Sequence, residues 1–445
     1  MIYNIRIYLL TFNLLFLSLL FLQFTFAQTG PGGIGLRNGT SSLDIWLRGN
    51  DINADNDLTN NPSNGSSVST WVDFSGNSNH FTQSGNNRPT FSDNSAFDAV
   101  NFNASLTTAQ FMNSSLSGIF RNASVFFVVN TVNSGNANSL FDHSSASLRV
   151  EQHSNRNRIG FTRYGIADYV TNIPSPFGIN AIISFHKSST SSNLEVRSNN
   201  NSHTINIGSA TTGIPVARIG RNSNGTDEAS GNFYEIIFFN SQINTAQKII
   251  IENYLSAKYG SIAISMDIYN EDEPGAGNYD HEVAGIGRIN SSNQHNDSQG
   301  TGIVRILNPT NLDDNEFLFW GHDNQPLQMN TNIDTPSSIK NRLTRVWRVS
   351  ESNTSGGDVD VGNIEMRFDL TGLSNISTNN LRLLIDTNNN GNFNDDTPIS
   401  GAVNLGNNIY AFNNISSISN NTRFTLGLAL ITIITNKRIT HRVIN

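Results

Sequence analysis

The sequence predicts an all-β protein made of two β-rich domains, and three observations carry that expectation. Only 14% of the residues are charged while Gly alone numbers 35. Asn, Ser and Thr supply the remaining polarity, and Asn and Ser compete for the backbone hydrogen bonds that a helix needs, so strands and turns are favoured. Short apolar runs recur between Asn- and Gly-rich punctuation along the chain, which is the pattern of a sandwich or barrel. Finally, a chain of 445 residues exceeds the roughly 250 to 300 residues at which a single core stops growing, so two domains are expected.

The chain opens with MIYNIRIYLLTFNLLFLSLLFLQFTFAQ. A basic start at Arg6, an apolar run over 7–26 and the small Ala27 before Gln28 describe a secretory signal peptide spanning 1–27. A membrane anchor is the competing interpretation, since a run near twenty residues is long enough to span a bilayer. Ala27 and the TGPGG that follows favour cleavage, which leaves a protein outside the cell or on its surface with no membrane insertion. Residues 28–39 are expected to form a loose Gly-rich segment. The absence of Cys excludes disulfides, thiolate metal sites and a cysteine nucleophile. A formal net charge of −8 gives no basic face for nucleic acid.

The ordered part is expected to begin at SLDIWLRGNDI, where Leu43, Ile45 and Leu47 alternate with Asp44, Trp46 and Arg48 as in a half-buried strand. The runs SVFFVVNTV, LRVEQ, RIGFTRY, AIISFH, LEVRS, ARIGR and FYEIIFFN continue the strand pattern up to residue 240. One helix interrupts it. In NTAQKIIIENYLSAKYG, Ile250, Ile251, Tyr254 and Leu255 follow helical spacing, Asn244 or Thr245 can cap the start, and Gly260 suits the left-handed residue past the end. This helix is expected to close the first domain, 40–260. Residues 261–277, with an acidic EDE and a Pro-Gly, look like a linker. A second β-rich block, 278–432, carries EVAGIGRI, GIVRIL, EFLFWGHDN, LTRVWRVSE, IEMRFDLTGL, LRLLID, NIYAF and RFTLGLALI. A basic tail, 433–445, ends the chain.

SLDIWLRGNDI, VSTWVDFSGNSNHFTQ, RPTF and the FYEIIFFNSQINTAQKIIIENYLSAKYG segment together resemble the laminin-G-like, concanavalin A-like lectin/glucanase superfamily over roughly residues 40–260. That resemblance implies a jelly-roll sandwich of two antiparallel sheets. It also implies a glycan- or protein-binding module or, elsewhere in the superfamily, a glycoside hydrolase. The block from DHEVAGIGRI through FLFWGHDN and RLTRVWRVSE to LLIDTNNNGNF is similar to a domain of unknown function that follows such lectin-like domains in bacterial surface proteins.

LLIDTNNNGNFNDD is the clearest candidate for a metal. Counted as a calcium loop, Asp386, Asn388 and Asn390 fill positions 1, 3 and 5, Gly391 makes the turn, Asn392 offers a carbonyl at 7, and Asp395 or Asp396 stands in for the carboxylate missing at Thr397. The alternative is an Asn-Gly turn between two strands. Laminin-G-like domains often hold calcium at a sandwich rim, but no Asp of the first block matches that site; Asp51, Asp55 and Asp57 lie together in a tract that suits a solvated loop.

Hydrolysis needs two carboxylates flanking the bond. The superfamily's hydrolases carry a Glu-x-Asp-x-Glu strand that is absent here: Glu271, Asp272 and Glu273 are adjacent, and Glu235 is alone in an apolar strand. His281, His295 and His322 match no ligand spacing and suit solvated turns. Trp46, Trp71, Trp320 and Trp347 suit a core better than a sugar-stacking platform. The sequence therefore points to a non-catalytic protein that binds polysaccharide or a surface partner, as in adhesion. A glycoside hydrolase or a spacer without ligand are the alternatives.

Overall fold

The computed structural model describes residues 27–430 apart from 94–95, 105–108, 134 and 136. The expected signal peptide, 1–27, lies outside the described residues except for Ala27, and so does the expected basic tail, 433–445. Within them the fold is all-β with one α-helix, and no helix is long and apolar enough to cross a membrane.

Two sandwiches account for all the described strands but one short pair, Ile119–Phe120 with Ile214–Pro215, and every pairing between named strands is antiparallel. In the first, sheet I runs in the order Asn201–Asn206, Asn193–Ser198, Ala181–Lys187, Ala123–Thr131, Gly231–Phe239, Ala99–Phe102, Thr90–Ser92, with Leu43–Arg48 also paired to Gly231–Phe239. Sheet II runs Ala167–Pro174, Arg158–Arg163, Ala146–Arg149, Ser139–His143, Arg218–Ile219, Met112–Ser114, Phe81–Thr82, Thr70–Trp71. In the second sandwich, sheet III is built around His281–Asn290, Glu316–His322, Trp347–Asn353 and Arg423–Ala429. Sheet IV is built around Val304–Leu307, Ile364–Asp369 and Ile409–Ile415.

Each sandwich has its own core. Trp71, Phe81, Phe127, Phe141 and Phe161 meet between sheets I and II, and Leu318, Trp320, Trp347, Phe368 and Phe424 meet between sheets III and IV. A third apolar layer lies between the sandwiches, and helix α1, Thr245–Lys258, fills it. Phe126 and Val128 from sheet I, Ile249 to Ile251 and Leu255 from α1, and Phe317 and Phe319 from sheet III share this layer. Alternation along each strand explains the arrangement. In FLFW, Phe317 and Phe319 turn to the helix while Leu318 and Trp320 turn to the second core. Gly285 and Gly287 lie under those two rings, where a Cβ would come within 2.5 Å and 2.0 Å of Phe319 and Phe317.

The helix forms where expected. Asn244 caps it in a reciprocal box with Gln247, and Gly260 follows it at φ 83°. It is buried nearly all round rather than on one stripe, because it serves both sandwiches and not the first alone.

The strand at SLDIWLR is buried on both faces. A register shift between Leu43 and Ile45 puts Leu43 with Trp46 in the helix layer, while Ile45 and Leu47 stay in the first core. Residues 28–39, expected to be loose, hold a 3-10 turn at Pro31–Gly33 whose residues are all buried. The Gln28 carbonyl accepts from the amides of Gln299 and Gly300. The Gly32 carbonyl accepts from Ser298 Oγ at 3.1 Å. Residues with no side chain fit where backbone must approach backbone. Residues 261–277, expected as a linker, bring Ile262, Ile264, Ile268 and Tyr269 into the helix layer. Asn253 pins them there by accepting from the amides of Ile268 and Tyr269.

Candidate functional site

Directly opposed residues in neighbouring antiparallel strands share a face, so the register of sheet II defines a row. Thr70 pairs with Thr82, Thr82 with Asn113, Asn113 with Arg218 and Arg218 with Asp142. Asp142 pairs with Ser147, Ser147 with Thr162 and Thr162 with Asp168. The row crosses all eight strands without an apolar side chain. The neighbouring residues Trp71, Phe81, Met112, Ile219, Phe141, Leu148 and Phe161 are in the first core, so the polar row belongs to the outward face. One end, at Thr70 and Thr82, is exposed, the other end at Asp168 is half-buried, and its centre is covered by the chain's own loop.

That centre is a hydrogen-bonded floor. Arg218 donates from Nε to Asn113 Oδ1 at 2.9 Å and from Nη1 to the Asn222 carbonyl at 3.1 Å. Asp142 accepts from Tyr164 Oη and Ser223 Oγ, each at 2.5 Å. Thr162 Oγ1 lies 2.7 Å from Asp168 Oδ1. Burial pushes the Asp142 carboxyl up, and the Tyr164 phenol is pushed up by burial and then by the charge of Asp142. One step along the sheet, Arg149 is 2% exposed and donates from Nη2 to Asp227 Oδ2 at 2.8 Å and to Tyr164 Oη at 3.2 Å.

A cavity of about 390 Å³ opens here, lined among others by Arg149, Arg163, Tyr164, Asp168, Asn222 and Asp227. It is the size of a small-ligand site. It has an aromatic ring and many polar groups, the combination a sugar requires. A larger cavity, about 570 Å³, lies at the junction of the sandwiches beside Arg48, Lys258 and Glu282. Three of its charged groups are held by neighbours, Arg48 by Asp51, Lys258 by Glu235, and Glu282 by His322, and no polar row of a sheet leads into it. The smaller cavity is therefore the stronger ligand site.

The residues singled out in the sequence fall elsewhere. All four Trp are at most 2% exposed, so none forms a sugar platform. Glu235, lone in its strand, is a structural acceptor. It takes Trp46 Nε1 at 2.6 Å, Tyr254 Oη at 2.9 Å, Lys258 Nζ at 2.6 Å and Tyr259 Oη at 2.8 Å, and so joins sheet I to α1. Asp51, expected in a solvated loop, is fully buried against Arg48 and accepts from the amides of Asp55 and Asn56. Asp55 and Asp57 are exposed. His295 and His322, expected in solvated turns, are buried at strand ends. His295 Nε2 lies 3.0 Å from the Gly33 carbonyl, and His322 Nε2 lies 2.9 Å from Glu282.

The candidate calcium loop is ordered by its own side chains. Asp386, 1% exposed, accepts from the amides of Asn390 and Gly391 and from Arg423 Nη2 at 3.1 Å. Asn388 and Asn390 both donate to Asp395 Oδ2. Asn392 donates its amide to Asn390 Oδ1, and the side chain of Asn392 stays in the same turn. Asp396 Oδ1 takes Thr387, while its Oδ2 is buried without a partner. The donor set is oxygen-rich, as calcium prefers, but Arg423 holds one oxygen of the residue that would lead it. Among the described residues no group of three or more His, Asp or Glu is placed to hold a metal.

Comparison with known proteins places part of the chain. The family described as a domain of unknown function (DUF8202) matches residues 247–422, starting within α1 and taking in most of the second sandwich. No curated protein matches. Among solved structures, a native heptameric SAP-like pentraxin from Limulus polyphemus is similar at 11% identity and a TM-score of 0.30, over 38% of this chain and 87% of that one. A Trypanosoma rangeli sialidase in complex with sialic acid is similar at 11% identity and a TM-score of 0.31, over 53% of this chain. The match spans 36% of the sialidase's own length. The CBM40 of a Ruminococcus gnavus IT-sialidase, bound to α2,3-sialyllactose, is similar at 10% identity and a TM-score of 0.23, over 30% and 82%. These likenesses do not bear on what this chain binds.

Proposed function

We propose that the protein is a non-catalytic glycan-binding protein that acts outside the cell or on its surface, and that the outward face of sheet II is its binding face. The polar row from Thr70 to Asp168 carries this proposal. A sandwich sheet needs polar residues on an outward face, but eight opposed polar residues leading into a cavity also supply what saccharide hydroxyls bond to. The carboxylates of the row already accept from neighbouring side chains, Asp142 from Tyr164 and Ser223 and Asp168 from Thr162. Binding of a polysaccharide panel to the full chain, repeated with Asn113→Ala and Thr82→Ala, tests the proposal. Saturable binding weakened by both changes is expected, and no saturable binding to any polysaccharide would refute it.

We also propose a weak calcium site in the loop 386–396, on the oxygen-rich donor set and the unpartnered Asp396 Oδ2. Its role is to stiffen the turn after strand Leu381–Ile385 in the second sandwich.

A further inference from the structure

Buried polar atoms are nearly always hydrogen-bonded, so those that are not call for an explanation. On the short segment Arg149 to Gln152, four buried side-chain atoms have no protein partner: Arg149 Nε and Nη1, Glu151 Oε1 and Gln152 Nε2. The segment continues the Ala146–Arg149 strand of sheet II. Arg149 lines the cavity, and Gln152 Oε1 lies 3.1 Å from Thr162 Oγ1 of the polar row.

The unmet atoms are mostly of one kind. The carboxylates around the cavity already accept: Asp142 from Tyr164 and Ser223, Asp227 from Arg149 and Asn222, Asp168 from Thr162. Three of the four unmet atoms are N–H donors, two of them on a guanidinium. The fourth, Glu151 Oε1, is an acceptor, on a carboxyl that burial pushes up. Arg149, the one of these three residues that lines the cavity, keeps two unmet donors while the carboxylates around it are filled, which is complementary to a ligand group that only accepts and carries negative charge.

We infer that Arg149 anchors an acidic substituent, a carboxylate or a sulfate, of the glycan bound on sheet II; the inference rests on the proposal that this face binds glycan. Asp227 is the internal counter-ion that the substituent replaces. It sits on Arg149 Nη2 from a loop that also covers the floor, its side chain is 16% exposed, and its backbone is held at φ 57°, in the left-handed region. The ligand's anion takes over a charge-assisted hydrogen bond that the loop otherwise makes.

The test compares matched acidic and neutral probes at about 0.15 M salt, where exposed charges are screened. Polygalacturonate is set against its methyl ester for the carboxylate, and dextran sulfate against dextran for the sulfate. The full chain is expected to prefer at least one acidic probe over its neutral partner by roughly tenfold or more, the scale of a hydrogen bond to a charged group. Arg149→Gln is expected to abolish the preference, while Asp227→Asn is expected to increase it. Equal binding of acidic and neutral probes would overturn the inference and leave the glycan face standing. Binding of no polysaccharide would overturn both. Opposite shifts in the two variants separate a ligand contact from a structural ion pair, which would lower stability in both and change no preference. Should Arg149→Gln fail to fold, Asp227→Asn decides alone, and an unchanged preference overturns the inference.

Discussion

The outward face of sheet I carries Trp46, Phe126, Val128, Ile237 and Phe239 and is buried under α1 and the second sandwich. The outward face of sheet II carries Thr70, Thr82, Asn113, Arg218, Asp142, Ser147, Thr162 and Asp168 and ends in an open cavity. The two faces belong to one sandwich and share one core, so core packing alone does not account for the difference. The first face spends its residues on joining two domains. The second is free of that duty, and its hydrogen-bonding groups converge on Arg149 and Asp142.

The largest effect should come from breaking the first face. Glu235→Ala removes the acceptor shared by Trp46, Tyr254, Lys258 and Tyr259 and leaves Lys258 without its counter-ion. A loss of about 3–5 kcal/mol is expected in denaturant unfolding, as when one partner of a buried pair is removed. A loss below about 1 kcal/mol would show that the helix layer does not hold the sandwiches together.

A pH series should separate stability from binding. Glu351 in the second sandwich is 1% exposed and accepts from the Val361 amide at 2.8 Å. Burial, then Asp360, Glu316 and Asp358, raise its carboxyl to about 7 from an ordinary 4.5. Because the folded value lies above the unfolded one, its contribution is complete below about pH 4.5 and is lost as the pH rises through about 7. Glu351→Gln should flatten that decline and make the protein more stable at pH 8, without altering glycan binding on sheet II. A pH profile that Glu351→Gln leaves unchanged would rule this group out as its source.

On the second face the balance reverses. Thr82→Ala should leave stability within about 0.5 kcal/mol, yet weaken glycan binding by about 0.5–1.5 kcal/mol, roughly two- to tenfold. A change that lowers stability and binding together would mean that the row is structural.

The calcium proposal predicts the smallest change. With Kd near 1 mM, adding 1 mM calcium stabilises by about 0.4 kcal/mol. The small rise in Tm should vanish with chelator and in Asp395→Ala; no rise at 10 mM calcium would dismiss the site.

Much of this architecture was readable in the residues. The helix followed from the Ile250, Ile251, Tyr254 and Leu255 spacing with its Asn244 cap and Gly260, and most long strands followed from their apolar runs. The layer between the sandwiches was not, because an apolar run such as SVFFVV looks the same whether its second face meets a helix or another sheet. The polar row was hidden for a different reason. Thr82, Asn113 and Arg218 lie in strands of two or three residues, too short for any periodicity, and they become neighbours only through long-range register. Arg149 stood within LRVEQ with nothing local to mark it. The one available signal was a polar residue at every second position of ASLR, with Ser147 and Arg149 on the same side.

The central claim is that sheet II presents the ligand face. Hydrogen exchange on the full chain, with and without the polysaccharide that binds it best, tests this most directly. Slowed exchange in residues 70–82, 111–114, 139–168 and 218–227, with 278–430 unchanged, is the predicted result. Protection confined to 278–430 would place the ligand on the second sandwich and contradict the account.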